Sequence, residues 1–334
     1  MVVGQRCASR GFSLVELMLA LTLGMIVIAG MAQLFRGTGQ GHASLERMAR
    51  AGESGRYALA ILGHSARHAG FLGCADGSGR LVNTLNGDLD ALFEPNIGKA
   101  VQAYDNDGDG SAAAYAAAAG IDPGRIVSGT DMLTFRRLES PLLRVSAPVD
   151  ASPVVERTNE FELKAGDFLL IGDCEQSSLF RLTGVVPGDR RVVLLREPGT
   201  ESYENASAKA LSGIATAYGP EGPAGGATVG RVLTETYFIA RGRGTGSRGE
   251  PLNSLWRRTG TAASAELVEG VHDLQARFGV DARPGDGVAA VSRYVGIDDV
   301  PAGGIVRSVE VRVAAGDGAA PRAFGQTFSL RNAG

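Results

Sequence analysis

The chain has 334 residues, a formal net charge of −3, 48 glycines and only 6% aromatic residues. This mildly acidic balance lacks the basic excess that nucleic-acid-binding proteins carry. Abundant glycine and few aromatic residues favour many turns and short strands over a helical bundle, and the length allows one large or two small β-rich units.

The first predicted element is an apolar helix over residues 12–35, in which Glu16 is the one charged side chain. At about 1.5 Å per residue, a helix of this length crosses a hydrocarbon core of about 30 Å. A carboxylate inside lipid is costly, so Glu16 predicts a function and a partner of opposite charge. A secretory signal peptide fits less well, because its apolar part is shorter and holds no acidic group. An ordinary signal anchor is the remaining alternative.

An amphipathic helix is predicted over residues 36–72. Apolar and small residues recur there at spacings of three and four from Leu45 to Ala69, which places a narrow stripe on one face that a sheet could cover. Gly37, Gly39 and Gly41 come before this stripe and predict a soft or unwound joint. Further glycines at 70–73 predict the end of the helix.

Strand patterns dominate the rest of the chain, and residues 112–119 form an alanine-rich segment that could be a short helix or a loop. The predicted strands are 132–138, 142–146, 167–171, 179–186, 191–196, 231–241, 254–258, 267–280, 306–313 and 324–330. Residues 267–280 also fit a helical pattern. Residues 201–230 are rich in Gly, Ala and Pro and indicate a linker or long loop.

The segment Gly11-Phe12-Ser13-Leu14-Val15-Glu16 resembles the cleavage site of type IV prepilins. The resemblance implies cleavage after Gly11, methylation of the new N-terminal Phe12, and Glu16 as the fifth residue of the mature chain. In that family this carboxylate is thought to meet the N-terminal ammonium of a neighbouring subunit. Such an ion pair is physically reasonable in lipid, where neither charge has water as an alternative partner.

Later segments resemble PilW-type minor pilins of the type IV pilus. They are Ala69-Gly70-Phe71-Leu72-Gly73-Cys74, Gly172-Asp173-Cys174, Leu267-Val268-Glu269-Gly270-Val271 and Val309-Glu310-Val311-Arg312-Val313. The J-type minor pseudopilins of type II secretion carry a similar Val-Glu-Gly-Val stretch and are the closest rival. The resemblance favours a strand over residues 267–280.

The chain has three cysteines, and cleavage after Gly11 removes Cys7. Cys74 and Cys174 remain in the part expected outside the cytoplasm, where disulfides persist. We expect a bridge between them, which would stabilise the fold by roughly 4 to 5 kcal/mol in the chain-entropy model. Two separate buried thiols are the alternative.

One candidate metal site stands out, because Asp105, Asp107 and Asp109 followed by Gly110 copy the start of an EF-hand loop. The bidentate Glu of such a loop is missing, so a Ca²⁺ site would need ligands from elsewhere. A solvated acidic turn is the other interpretation. We assign no other cofactor.

Two further patterns suggest binding less strongly. His64 and His68 are four residues apart on a helix but have no third ligand between them, and we interpret them as surface or half-buried histidines. The arginine- and glycine-rich segment 241–249 could touch a DNA backbone, but it lacks the context of a phosphate-binding loop and fits a hairpin tip better. We therefore expect no nucleic-acid partner and no catalytic site.

Together the residues and the resemblance predict an α+β fold, in which a long N-terminal helix packs on an antiparallel β-rich head with one or two β subdomains. The expected regions are a leader at 1–11, a transmembrane half-helix at 12–35, a periplasmic half-helix at 36–72, a first β part with both cysteines at 73–200, a linker at 201–230 and a C-terminal β part at 231–334.

The resemblance implies a minor pilin that primes fibre assembly at or near the tip. It would be a substrate of the prepilin peptidase and N-methyltransferase rather than an enzyme. It would first cross the inner membrane once, with its head in the periplasm, and then enter the fibre at the cell surface. Its partners would be the lipid bilayer, other minor pilins, the major pilin, the peptidase and the inner-membrane assembly platform. A pseudopilin or a tip subunit for adhesion or DNA uptake is the alternative.

Overall fold

The computed structural model describes residues 13–73, 80–106, 111–146, 152–156, 162–173, 176–209, 226–246, 249–283, 290–301, 304–317 and 321–331. The chain divides into two compact units, Met1–Arg50 and Ala51–Gly334. The helices are α1, Leu14–His68, and α2, Ser111–Ala118, and there are short 3-10 turns at Leu89–Ala91 and Pro123–Arg125.

Helix α1 continues through Gly37, Gly39 and Gly41, so the prediction of an unwound joint is wrong, while a soft joint stays a prediction. Each glycine costs about 1 kcal/mol in a helix interior, but the helical hydrogen bonds do not depend on the side chain. Among the described residues, and apart from the main chain of the helix itself, no group lies within 4 Å of the positions that a Cβ atom would occupy at these glycines. The helix ends at His68, and Gly70 follows with a φ of 76°, the left-handed conformation that favours glycine after a helix.

The described part of the head is built mainly from strands. In chain order they are β1 Arg80–Asn83, β2 Val101–Tyr104, β3 Met132–Leu138, β4 Leu143–Arg144, β5 Val154–Glu156, β6 Phe168–Gly172, β7 Gln176–Arg181, β8 Gly184–Pro187, β9 Arg191–Leu195, β10 Thr228–Thr245, β11 Pro251–Thr259, β12 Ala265–Glu269, β13 Val271–Asp281, β14 Arg293–Val295, β15 Ile305–Ala315 and β16 Arg322–Ser329.

These strands form three sheets. A nine-stranded sheet has the central order β1-β7-β6-β10-β11-β12. Strands β3 and β4 also pair with β10, and β2 pairs with β3. A four-stranded sheet has the order β14-β13-β15-β16, and a three-stranded sheet has the order β5-β9-β8. Strand β10 is the centre of the large sheet, because it pairs with four strands: β4 and β6 lie on opposite sides of its first residues, and β3 and β11 lie on opposite sides of its middle.

One core joins the helix to both larger sheets. From Ala51 onward, the small-residue face of α1 is buried, including Ala58, Leu62 and Ala66, none of which is exposed. The same cluster takes residues from β3, β10, β11 and β12 of the large sheet and from β13, β15 and β16 of the four-stranded sheet. The long apolar helix followed by this β-rich part is the α+β fold that the sequence predicts.

Two helix glycines allow the closest packing. A Cβ atom at Gly55 would overlap the ring of Phe324, and one at Gly63 would overlap the ring of Phe328. Both rings belong to β16, so the helix main chain lies directly against the aromatic side chains of this strand. The predicted stripe is therefore confirmed from Gly52 to Ala69, whereas Leu45 and Met48 are exposed.

Most predicted strands are confirmed, and β3 has the predicted bounds. Residues 179–186 and 267–280 are each divided between two strands. The second division falls at Gly270, which has a φ of 75° and turns the chain from the nine-stranded into the four-stranded sheet. Strands β1, β2, β5 and β14 were not predicted, because they are three or four residues long and carry too short a pattern.

We expect Gly63→Ala to destabilise the head by about 1–3 kcal/mol, because the added methyl group would push the helix away from Phe328. Gly52→Ala is the matched control on the same helix, since its Cβ would lie an ordinary 3.7 Å from the Arg56 side chain. Gly52→Ala should raise the free energy of unfolding by up to about 1 kcal/mol, because Ala has a higher helix propensity than Gly. The free energy of unfolding of both variants is measured by urea unfolding of the detergent-solubilised chain, followed by the fluorescence of the single Trp256. Equal effects of the two changes would contradict the packing argument.

Candidate functional site

The start of α1 holds the carboxylate that the sequence singles out. Ser13 is the N-cap, since its carbonyl accepts the first helical hydrogen bond, 3.1 Å from the nitrogen of Leu17. Glu16 lies three residues on, and its Oε2 accepts a hydrogen bond of 3.2 Å from the main-chain nitrogen of Ser13. This is the carboxylate half of a capping box, for which Ser-x-x-Glu is the sequence signal. Glu16 therefore has a local partner that the sequence analysis did not identify.

The helix after Glu16 is apolar on all sides. Its large side chains from Leu14 to Phe35 are between 54% and 82% exposed. The most apolar window of 18 residues has a mean hydropathy of 2.3, and none of it is buried within the chain. Apolar surface of this extent needs lipid or other protein to cover it. The helix therefore has the length and composition of a membrane anchor.

A buried polar cluster joins the second part of α1 to the large sheet. Ser65 donates a hydrogen bond of 2.8 Å to Glu235 Oε2, and its oxygen lies 2.8 Å from the hydroxyl of Tyr237. Arg257 donates to the other carboxylate oxygen at 3.1 Å, and Arg137 lies 3.9 Å from Oε2. Burial and the nearby Glu235 charge raise the pKa of Tyr237, so its hydroxyl stays neutral. Two arginines thus compensate the one buried carboxylate.

We expect Ser65→Ala to lower the free energy of unfolding by about 1–3 kcal/mol, because Glu235 Oε2 and the Tyr237 hydroxyl each lose a buried hydrogen bond. Ser54→Ala on the same helix is the control, and should change stability by less than about 0.5 kcal/mol. Thermal unfolding of both variants in detergent provides the comparison. A Ser65 variant as stable as the Ser54 variant would show that the cluster contributes packing only.

Several predicted site residues lie outside the described residues: Gly11, Phe12, Cys74, Cys174, Asp107 and Asp109. The described residues near the two cysteines do approach each other. A Cβ atom at Gly73 would lie 3.9 Å from the hydroxyl of Thr228, and Thr228 is the register partner of Gly172. The Cys74–Cys174 bridge stays a prediction.

The described part of the candidate metal loop adjoins a carboxylate that the sequence analysis missed. Asp105 is exposed and follows β2, whereas Asp131 precedes β3 and is only 2% exposed. Burial raises the pKa of Asp131 to about 7. A hydrogen bond from the Ala276 nitrogen opposes this rise, and the carboxylates of Asp105, Asp273 and Asp298 add to it. Among the described residues, no three His, Cys, Asp or Glu side chains are already arranged around one point.

The two histidines contact each other at the end of α1. The ring centroids of His64 and His68 are 4.5 Å apart, and His68 Nδ1 lies 2.8 Å from the carbonyl oxygen of His64. This local contact uses the ring nitrogen that faces the helix. His64 is exposed and His68 is half-buried, which confirms that these are surface or half-buried histidines.

The arginine-rich segment belongs to the β10–β11 hairpin and faces acidic side chains. Arg243 Nε lies 3.9 Å from Glu266 Oε2, and the carboxylate of Glu269 lies over Gly244. Glu266 also accepts a hydrogen bond of 2.7 Å from Ser254. The described part of this hairpin is therefore not a purely basic surface.

Two family models match the chain. The model described as the prokaryotic N-terminal methylation motif covers residues 6–32, and the model described as type IV pilus-assembly protein W covers residues 236–332. The first includes Glu16 and most of the apolar helix. The second runs from within β10 to just beyond β16, and so includes Tyr237 and both rings that contact the helix. Neither a curated protein nor a solved structure matches the chain.

Proposed function

We propose a specific role for this chain within the class that both family matches indicate, a PilW-type minor pilin of the type IV pilus. In this role the chain is a structural, non-enzymatic subunit that helps to prime fibre assembly and lies at or near the fibre tip. The single observation that carries the proposal is the methylation motif on an apolar helix that precedes a PilW-matched β-rich head.

In the proposed pathway, a peptidase cleaves the leader after Gly11 and the new N-terminal Phe12 is methylated. The helix then holds the chain in the inner membrane with the head in the periplasm, until the assembly platform moves it into the fibre. Glu16 would there neutralise the N-terminal ammonium of a neighbouring pilin. The hydrogen bond from Ser13 to Glu16 Oε2 supports this role, because it holds the carboxylate at the N-terminal end of the helix.

The size of the head supports a low copy number. The unit Ala51–Gly334 contains sheets of nine, four and three strands within its described residues. A subunit of a repeating shaft must fit beside many copies of itself, and so large a head would crowd that arrangement. A subunit at the end of the fibre has fewer neighbours. Other minor pilins and the major pilin are the partners that this position requires.

We also propose that Cys74 and Cys174 form a disulfide in the periplasm. The approach of Gly73 to the register pair of Thr228 and Gly172 supports this pairing. The bridge would join the segment after the helix directly to the segment after β6, and so close a long loop of the chain. Mass spectrometry of a non-reduced tryptic digest would identify the cross-linked peptides.

The main rival is a minor pseudopilin of type II secretion, which is also a structural subunit. The match to the pilus-assembly model over residues 236–332 favours the pilus. Deletion of the gene gives a direct distinction, since loss of pili with normal secretion supports the proposal and the reverse supports the rival.

We expect Glu16→Ala to abolish or greatly reduce surface pili, while leaving cleavage and membrane retention unchanged, because a neutral side chain cannot pair with an ammonium in lipid. Glu46→Ala is the control, since this exposed carboxylate lies on the same helix and forms a surface pair with Arg50. Electron microscopy of sheared pili and immunoblots of membrane fractions measure the two effects. Normal piliation of the Glu16 variant would favour a pseudopilin or a peripheral role.

We expect the double substitution Arg241→Ser and Arg243→Ser to leave DNA uptake, adhesion and piliation within about twofold of the wild type. Glu266 and Glu269 of the neighbouring strand β12 lie beside this hairpin and would repel a phosphate backbone. Transformation frequency, adherence counts and pilus yield test this expectation. A loss of uptake with normal piliation would make DNA binding by this hairpin the better function.

A further inference from the structure

We propose that the outer edge of β16 binds an extended, acidic strand of another subunit, which becomes the fifth strand of the four-stranded sheet. The proposal rests on the proposed function for the kind of partner, and on the geometry of β16 for the site. In the order β14-β13-β15-β16, strand β16 pairs with β15 alone, so its other side is an edge of the described sheet.

The main-chain groups of β16 point alternately toward β15 and away from it. The nitrogen of Leu330 donates a hydrogen bond of 2.9 Å to the carbonyl of Arg307, in register with the β15–β16 pairs. In an antiparallel ladder the hydrogen-bonded positions recur at every second residue, so the even-numbered residues of β16 face β15. The N–H and C=O groups of the other four residues point outward and pair with no described residue: Ala323, Gly325, Thr327 and Ser329.

Strand β16 lacks the features that usually protect a sheet edge. Edge strands are commonly short, bulged, charged or interrupted by proline. Strand β16 has eight residues in unbroken register with β15, and its single charged residue is Arg322 at its start. All four outward-facing residues are small, uncharged and exposed. By contrast, β14 at the opposite edge has three residues, and β12 at an edge of the large sheet carries Glu266 and Glu269. Among the described edges, β16 is therefore the best suited to pair with another strand.

Helix α1 lies against one face of β16, beside this edge. Phe324 and Phe328 point to that face, where their rings lie against Gly55 and Gly63. Phe328 is buried, but Phe324 is only half-buried, and Gln326 between them is exposed. Because side chains alternate along a strand, all three lie on the helix side. A strand added at the edge would cover Phe324 there, so we expect the partner strand to be apolar on its helix-facing side.

The charges near the edge favour an acidic partner. Arg322 is exposed and makes no ion pair with a described carboxylate, and β16 has no acidic residue. On the face opposite the helix, Arg312 leans over Gly325, where its Cγ lies 3.3 Å from the position of an added Cβ atom. Glu310 pairs with Arg312 at 2.7 Å, but the Arg312 side chain is still 59% exposed. A basic strand would be repelled by these two arginines, whereas an acidic strand would be attracted.

A second copy of the chain fits this edge poorly, because of the direction of the helix. Gly55 lies at Phe324 and Gly63 lies at Phe328, so α1 and β16 run in the same direction. Symmetric pairing of two β16 edges is antiparallel, and would make the two helices run in opposite directions. Chains anchored in one membrane enter their heads from the same side. We therefore assign the edge to a different subunit.

The test compares two substitutions of Thr327, whose main-chain nitrogen points outward. Thr327→Pro removes this donor and obstructs a neighbouring strand, but it breaks no hydrogen bond to β15. Thr327→Val is the matched control, because it keeps the N–H group and suits a strand. We expect the two variants to melt within about 4 °C of each other in detergent. We also expect the proline variant to reduce assembly at least about tenfold, while the control stays within about twofold of the wild type.

The readout is the assembly that deletion of the gene abolishes, which is the pilus in the proposed role. If deletion spares pili and stops secretion, the proposed role is contradicted, and the two variants are then compared by secretion. Equal assembly by the two variants would overturn the assignment of the edge without affecting the assigned role.

Hydrogen exchange provides a second measurement, which needs no folded proline variant. The wild-type chain in detergent is measured alone and after mixing with each of the other minor subunits of the same assembly, also solubilised in detergent. We expect the peptide covering residues 322–330 to gain about four protected amides with one of these partners, one for each outward-facing residue. Unchanged exchange with all of them would overturn the proposal, as would protection of the same peptide by dimerisation of the chain alone.

Discussion

The head depends on the close approach of a helix face to two β-sheets. Gly55 and Gly63 have no side chains, so the rings of Phe324 and Phe328 can lie directly on the helix main chain. The same cluster takes apolar residues from both the nine-stranded and the four-stranded sheet. Because protein interiors are close-packed, a wider separation of helix and sheet would open this whole core. The small-residue stripe therefore determines how closely the helix and the sheets pack.

A directional contact accompanies this apolar packing. Hydrophobic burial is non-directional and allows a helix to rotate or slide on a sheet. The hydrogen bonds of Ser65 with Glu235 and Tyr237 are satisfied in one position only. The buried Glu235 charge would be costly alone, and the guanidinium of Arg257 at 3.1 Å offsets that cost. The cluster thus specifies the position of the helix on the large sheet, while apolar packing supplies most of the stability of the head.

The two units of the chain suit different surroundings. The apolar helix of the first unit buries none of its most apolar window within the chain, whereas the second unit has its own cores. Glu16 belongs to the first unit, and its Oε2 accepts a hydrogen bond from the main-chain nitrogen of Ser13. The methylation motif and the pilus-assembly match fall in separate units. Anchoring and recognition in the proposed fibre can therefore be altered independently by mutation.

Residue patterns alone were enough to predict the apolar helix, the small-residue stripe and most strands, including β3 with its bounds. Each of these features is a periodic pattern of residues within one segment, so it can be recognised from that segment alone. Two other features depend on contacts between distant segments: the chain changes sheets at Gly270, and Ser65 of the helix meets Glu235 and Tyr237 of β10. A pattern shows which face of an element a residue occupies, but not which other element covers that face. Strand pairing makes that choice, and it depends on contacts between distant segments of the chain.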